Sequence, residues 1–174
     1  MNVMSRSADF FTTRRVASGK PQRSWFGRFV DGPSLSDEEA FLAILIGAAR
    51  ADGVVSPEES QELAALTGRT KTLANLSVTR ISELCRSIDG RFNREGQQNV
   101  LAAACHTVLS IKEGSDVARM RAESVFAHAV DLVFADREVN QMEQDYILEL
   151  AKFLKIDFAR GKEIVSVIEV KNAF

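Results

Sequence analysis

Six oxygen-bearing side chains fall into two sets with the same spacing. Asp52, Ser56 and Glu59 lie in "ARADGVVSPEESQELAAL", and Asp136, Asn140 and Glu143 lie in "VFADREVNQMEQDYILEL" further along the chain. Carboxylate, hydroxyl and amide oxygens suit hard cations such as calcium or magnesium, not zinc. Neither stretch has the alternating Asp spacing of a calcium-binding loop. A plainer reading stands beside the metal. Ser56 with Glu59 makes a capping box, and Asn140 with Glu143 makes a looser one, so helix starts account for four of the six. They do not account for Asp52 and Asp136. Each follows the C-terminal end of an apolar helix, where the macrodipole disfavours a carboxylate. Such an aspartate either bonds to backbone N–H groups of the turn ahead or has a cationic partner. Both readings are open from the residues alone.

The likeness extends beyond the six. Ala51 aligns with Ala135, Val55 with Val139, Leu63 with Ile147 and Leu66 with Leu150, while upstream Leu42 meets Phe126 and Ile46 meets Val130. Each copy reads as an apolar helix, a four-residue corner opened by Asp, and a capped helix. Two copies of one unit suggest packing about a pseudo-two-fold axis, which would bring the two corners near each other.

The rest of the punctuation is helical throughout. "SDEE" at Ser36 to Glu39 is a capping box before a helix at about 37–51, apolar almost all round and therefore expected at the centre. Pro57 opens a helix that Gly68 ends. A helix is predicted from Val78 to Asp89, stopped by Gly90. Asn93 is placed as the cap of a long helix over about 94–113, with Val100, Leu101, Ala104, Val108 and Ile111 inward. Further helices are predicted over about 116–135, over 141–154 capped by Asn140, and from Asp157 to about Val170. Short connections imply antiparallel neighbours, and the fold class is all-α, a compact bundle of about seven helices with an internal repeat.

Composition supports this. The chain has 174 residues, 45% hydrophobic, with only three prolines, enough for one domain with a core. Its formal charge of −2 is unevenly spread: residues 1–30 carry a net +5 and the remainder a net −7. Residues 1–33 read as a basic aromatic arm, partly ordered, and 34–174 as the helical domain. The arm's "DFFTTRRV" and "SWFGRFV" mix aromatics with arginines, which suits an anionic membrane surface, an acidic partner or the protein's own acidic face. Alternatively Phe10, Phe11, Trp25 and Phe29 dock on the helical core. Cys85 and Cys105 fall in apolar helical patterns without metal-ligand spacing, as small buried thiols of a reduced compartment. The longest apolar run, "AFLAILIGAA", is too short to span a bilayer, and "TTRRVAS" lacks the apolar segment of an export signal. A soluble cytoplasmic protein, at most peripheral to a membrane, is expected.

Catalytic constellations are sparse. His128 and Asp131 are three apart on one helix and can touch, with Ser124 on the same strip, but this spacing also describes an ordinary hydrogen-bonded stripe. Cys105 and His106 point apart on a helix. There is no nucleophile elbow, phosphate loop or zinc-protease helix, so no enzyme is expected. The acidic body repels phosphates, which disfavours nucleic acid.

"A-D-G-x-x-S-x-x-E" after an apolar helix, returning as "A-D-x-x-x-N-x-x-E", together with "ILELAKFLKID", resembles the TerB-like tellurite-resistance family over about residues 36–160. The resemblance implies a small all-helical domain without established enzymatic activity. It also implies a link to tellurite and other chemical stress, and a place in metal-linked complexes near the membrane. A related domain accompanies some membrane-anchored co-chaperones, which keeps a metal-free interaction or membrane-peripheral adaptor as the alternative. On this likeness Asp52 and Glu59 take the first acidic corner, and Asp136 and Glu143 the second. Arg137 departs from the family's Asp-Gly. At positive φ it would cost on the order of 1 kcal/mol relative to glycine, and its guanidinium could serve the carboxylates as counter-ion. Tellurite itself is an anion that a carboxylate cluster repels, so its direct capture at the corners is not expected.

Overall fold

The computed structural model describes residues 34–53, 57–110, 116–135 and 139–173, with the side chains of 57–59 outside the described set. Within these residues lie seven α-helices: α1 Asp37–Ala49, α2 Pro57–Arg69, α3 Val78–Glu95, α4 Gln97–Ser110, α5 Asp116–Val133, α6 Gln141–Phe153 and α7 Phe158–Lys171. The all-α reading holds, and the described residues include no strand. The arm and Ile111 lie outside the described residues.

α1 is the axis of the bundle. Every residue from Ala40 to Ala49 is buried, so the helix has no solvent face to spend on polar groups. It packs against α4, α5 and α3 and also meets α2 and α6, while α7 lies on α5. Burial of side chains such as Ile44 and Leu45 contributes roughly 1.5–3 kcal/mol each. The described inward residues predicted for α4, α5 and α6, among them Val100, Phe126, Val130, Ile147 and Leu150, are buried.

Start signals were read well. Ser36 Oγ accepts from Glu39 N at 3.2 Å while Glu39 Oε2 accepts from Ser36 N at 2.9 Å, a complete capping box. Asp157 Oδ1 accepts from Arg160 N at 2.9 Å at the start of α7.

The middle of the chain requires a correction. α3 does not stop at Gly90 but continues to Glu95, and Asn93 sits inside it instead of capping α4. Two side-chain effects carry the helix on. Arg91, buried, makes a bidentate pair with Glu95 one turn ahead, both contacts at 2.9 Å. Phe92 packs on the core from the same turn. The break falls instead at Gly96, whose φ of +82° suits glycine and whose N–H is satisfied by Phe92 O at 3.0 Å.

A polar cluster ties three helices together away from the core. Asp131 of α5, only 13% exposed, accepts from Lys171 Nζ and from Asn172 Nδ2 beyond α7. Arg69, from the end of α2, approaches it at 3.9 Å and also pairs with Glu62. His128 lies one turn back with its ring edge-on to Phe41, centroids 5.6 Å apart. Burial, first, and then Arg69 and Lys171 hold its imidazole below the ordinary pKa against the opposing pull of Asp131. The His128–Asp131 strip is thus a structural tie whose carboxylate is engaged by cations.

Gly47 marks a close approach between two helices. Tyr146 of α6 crosses α1 there and its hydroxyl donates to Ile44 O at 2.7 Å, while a Cβ on Gly47 would lie 2.7 Å from that oxygen. Gly47→Ala is expected to lower unfolding stability by about 2 kcal/mol through overpacking and strain on this bond. Denaturant melts check it. Adding Tyr146→Phe to Gly47→Ala is expected to recover part of the loss, because the clashing oxygen is gone.

Candidate functional site

The candidate site begins where α1 ends. Arg50 N donates to Ile46 O at 3.1 Å and Ala51 N to Ala48 O at 3.1 Å, closing the last turn of the helix. Gly53 then turns the chain with φ +84° and donates its N–H to Arg50 O at 3.0 Å. A side chain there would meet no neighbouring atom, so glycine is needed for backbone conformation alone. The corner's Asp-Gly is therefore a bend with a conformational reason for its second residue. α5 ends in a corresponding way: Phe134 N donates to Val130 O and Ala135 N to Leu132 O, both at 3.0 Å.

Arg50 anchors this end from the side. Its guanidinium pairs with Asp89 of α3 and lies 5.8 Å from the centroid of the Phe92 ring. Gln97 Nε2, at the start of α4, reaches back to Gly47 O at 3.2 Å. The corner thus rests on a helix end fixed from two directions.

The second corner reaches the first. Asn140 Nδ2 donates to Asp52 Oδ2 at 2.8 Å across 88 residues of sequence. The orientation of that amide follows from its other contacts. Asn140 Oδ1 accepts from Met142 N at 2.9 Å and Glu143 N at 3.1 Å, and Glu143 Oε2 accepts from Asn140 N at 2.8 Å, so the looser box predicted for this helix is complete. With its oxygen committed to the cap, the amide has only its N–H groups to offer outward. Glu143, though ionisable, is buried at 4% exposure beneath this arrangement.

Of the six candidate residues, the structure places Asp52 and Asn140 in contact and Glu143 one turn into α6 under Asn140. Ser56, Asp136 and the side chain of Glu59 lie outside the described residues, as does Arg137. Among the described residues no group of three His, Cys, Asp or Glu side chains is placed to hold a metal. The chemistry of the donor set bears on the same point. Asn140 turns nitrogen, not oxygen, toward Asp52, so it stands where a cation would and competes with one. Glu143 spends an oxygen on the cap. Asp52 is the described member that fits a hard cation, and any further oxygens must come from Ser56, Glu59 and Asp136.

The cysteines offer no alternative chemistry. Cys105 is buried, and burial pushes its thiol far above the usual range, with Glu149 adding to it. Burial and then the Asp89 carboxylate raise Cys85. Neither is poised as a thiolate. The pairing of Arg50 with Asp89 and of Asp131 with Arg69 and Lys171 went unnoticed in the sequence, which holds no local signal for pairs so far apart.

Residues 38–163, a span that includes both corners, match the family described as Tellurite resistance protein TerB. No curated protein and no solved structure matches the chain.

The Asp52–Asn140 contact has a measurable strength. A double-mutant cycle of Asp52→Ala and Asn140→Asp, scored by denaturant unfolding, is expected to give a coupling of about 1 kcal/mol, with the aspartate at 140 destabilising only while Asp52 is present. Additive effects within about 0.3 kcal/mol would mean that the two corners are energetically separate.

Proposed function

The chain belongs to the TerB tellurite-resistance family, and from that premise we propose that it is a non-enzymatic stress-response domain whose acidic joint answers to a divalent cation. One observation supports the reading: the Asp52–Asn140 bond, which joins the turn after α1 to the start of α6. A carboxylate at the C-terminal end of an apolar helix needs positive charge nearby. The amide N–H of Asn140 supplies a partial one, and calcium or magnesium would supply a full one. In this reading Asp52, with Ser56, Glu59 and Asp136, holds the ion by oxygen atoms, while Asn140 and Glu143 keep capping α6. The ion would contribute charge neutralisation, drawing the end of α1 toward the start of α6. A carboxylate-lined joint repels tellurite, so the domain acts in resistance through its state and its contacts, not by binding the oxyanion.

A second reading has its own support. Because Asn140 already satisfies Asp52, the joint can stand without metal as a fixed structural element, and the domain then works as an interaction module or membrane-peripheral adaptor in the cytoplasm. Among the described residues no helix is long and apolar enough to cross a membrane. Exposed Val167 and Val170 on α7 and Met120 on α5 are apolar surface such a module would use.

Thermal melts separate the two. Magnesium or calcium at tenfold excess over Kd is expected to add about 1.4 kcal/mol of stability, a rise in Tm of roughly 3–5 °C. Asp52→Asn is expected to abolish the rise while leaving the metal-free melt nearly unchanged. A wild-type Tm indifferent to millimolar metal would remove the cation reading and leave the adaptor.

A further inference from the structure

On the outer side of α6 a trough of about 450 Å³ is lined by Asp145, Leu148, Glu149, Lys152 and Phe153. Leu148 and Phe153 form its apolar part, both half-buried against the core. Asp145 and Glu149 set two carboxylates against the single ammonium of Lys152. Glu149 is steadied by Gln98, whose Nε2 donates to its Oε1 at 3.3 Å. The trough overlies the last turns of α6, where the helix dipole adds negative potential. Such a surface suits an occupant that brings aromatic rings and positive charge together.

The chain itself carries that chemistry. "RSWFGRFV", residues 23–30, places Trp25, Phe26 and Phe29 among Arg23 and Arg28, within a 30-residue stretch of net +5 that precedes a body of net −7. Reach is sufficient. Leu35 is fixed on α4 by Thr107 Oγ1, which donates to its carbonyl at 3.3 Å. From Thr107 back to Gln98, beside the trough, α4 runs about 14 Å. The chain from Trp25 to Leu35 spans up to about 33 Å when extended.

We propose that residues 23–30 seat in the α6 trough, with rings against Leu148 and Phe153 and the two guanidinium groups beside Asp145 and Glu149. The arm is then a detachable cover for the acidic face of its own domain, held by charge and aromatic contact and independent of the corner chemistry. Its release would expose the basic aromatic segment and the trough at once.

Trp25 is the chain's only tryptophan, so its fluorescence in the full chain reports the seat directly. The expected result is blue-shifted emission shielded from acrylamide. Asp145→Lys with Glu149→Lys, its fold checked by helical circular dichroism, is expected to move the docking equilibrium by roughly tenfold toward release, read as red-shifted, readily quenched emission. Arg23→Glu with Arg28→Glu, which lies outside the seven described helices, is expected to do the same, and combining both pairs to restore the shielding. Freely quenched Trp25 in the unaltered protein would overturn the proposal, as would shielding that survives when either pair is reversed alone. Shielding that grows with protein concentration would overturn it in favour of a second copy as the occupant.

Discussion

A helix buried on every side can meet its polar obligations only at its two ends. α1 is that helix. Ten consecutive buried residues leave no stripe for water, so its first N–H groups and last carbonyls must be satisfied by whatever stands at each terminus. At the start this is the Ser36–Glu39 box, beside which Asp37 pairs with Arg121 of α5. At the end Ala51 N donates to Ala48 O, Gly53 N to Arg50 O and Gln97 Nε2 to Gly47 O, while the Arg50–Asp89 pair and the Asp52–Asn140 bond fix the side chains that flank them. The surrounding helices supply those partners as well as the apolar walls. Core packing and corner geometry are therefore consequences of one constraint.

That constraint also explains how one asparagine links capping to function. Asn140 uses its oxygen to start α6 and its nitrogen to reach Asp52, so the same side chain begins one helix and complements the end of another. A neutral amide gives a carboxylate hydrogen bonds but no whole charge. A divalent ion gives more charge and requires the carboxylate's oxygen, which makes ion and amide rivals for Asp52.

Features legible in the sequence were the ones written locally. Ser36-Asp37-Glu38-Glu39 and the Asn140–Glu143 spacing announce helix starts because capping acts over three residues, and both appear as read. The run from Phe41 to Ala49 gave away the central helix because no polar side could be drawn on it. Gly90 misled because glycine weakens a helix without forbidding one. The buried Arg91–Glu95 pair outweighs it, and the stop moves to Gly96, where positive φ is required. Asp131 was readable as one member of a strip with His128. Its cations, Arg69 and Lys171, come from helices that only the fold brings near. Repetition suggested that the two corners lie near each other; the contact described is Asn140 with Asp52, which depends on the asparagine amide's orientation, for which sequence has no symbol, and Asp136 lies outside the described residues.

The side-chain amide of Asn140 offers the most direct measurement of the central claim. Its two N–H resonances, followed by nuclear magnetic resonance during a magnesium titration, are expected to start in the hydrogen-bonded range and slow to exchange. They should then move toward free-amide positions as the ion takes Asp52, while the backbone N–H of Glu143 stays in place. Resonances at free-amide positions from the outset, with no response to the ion, would contradict the account.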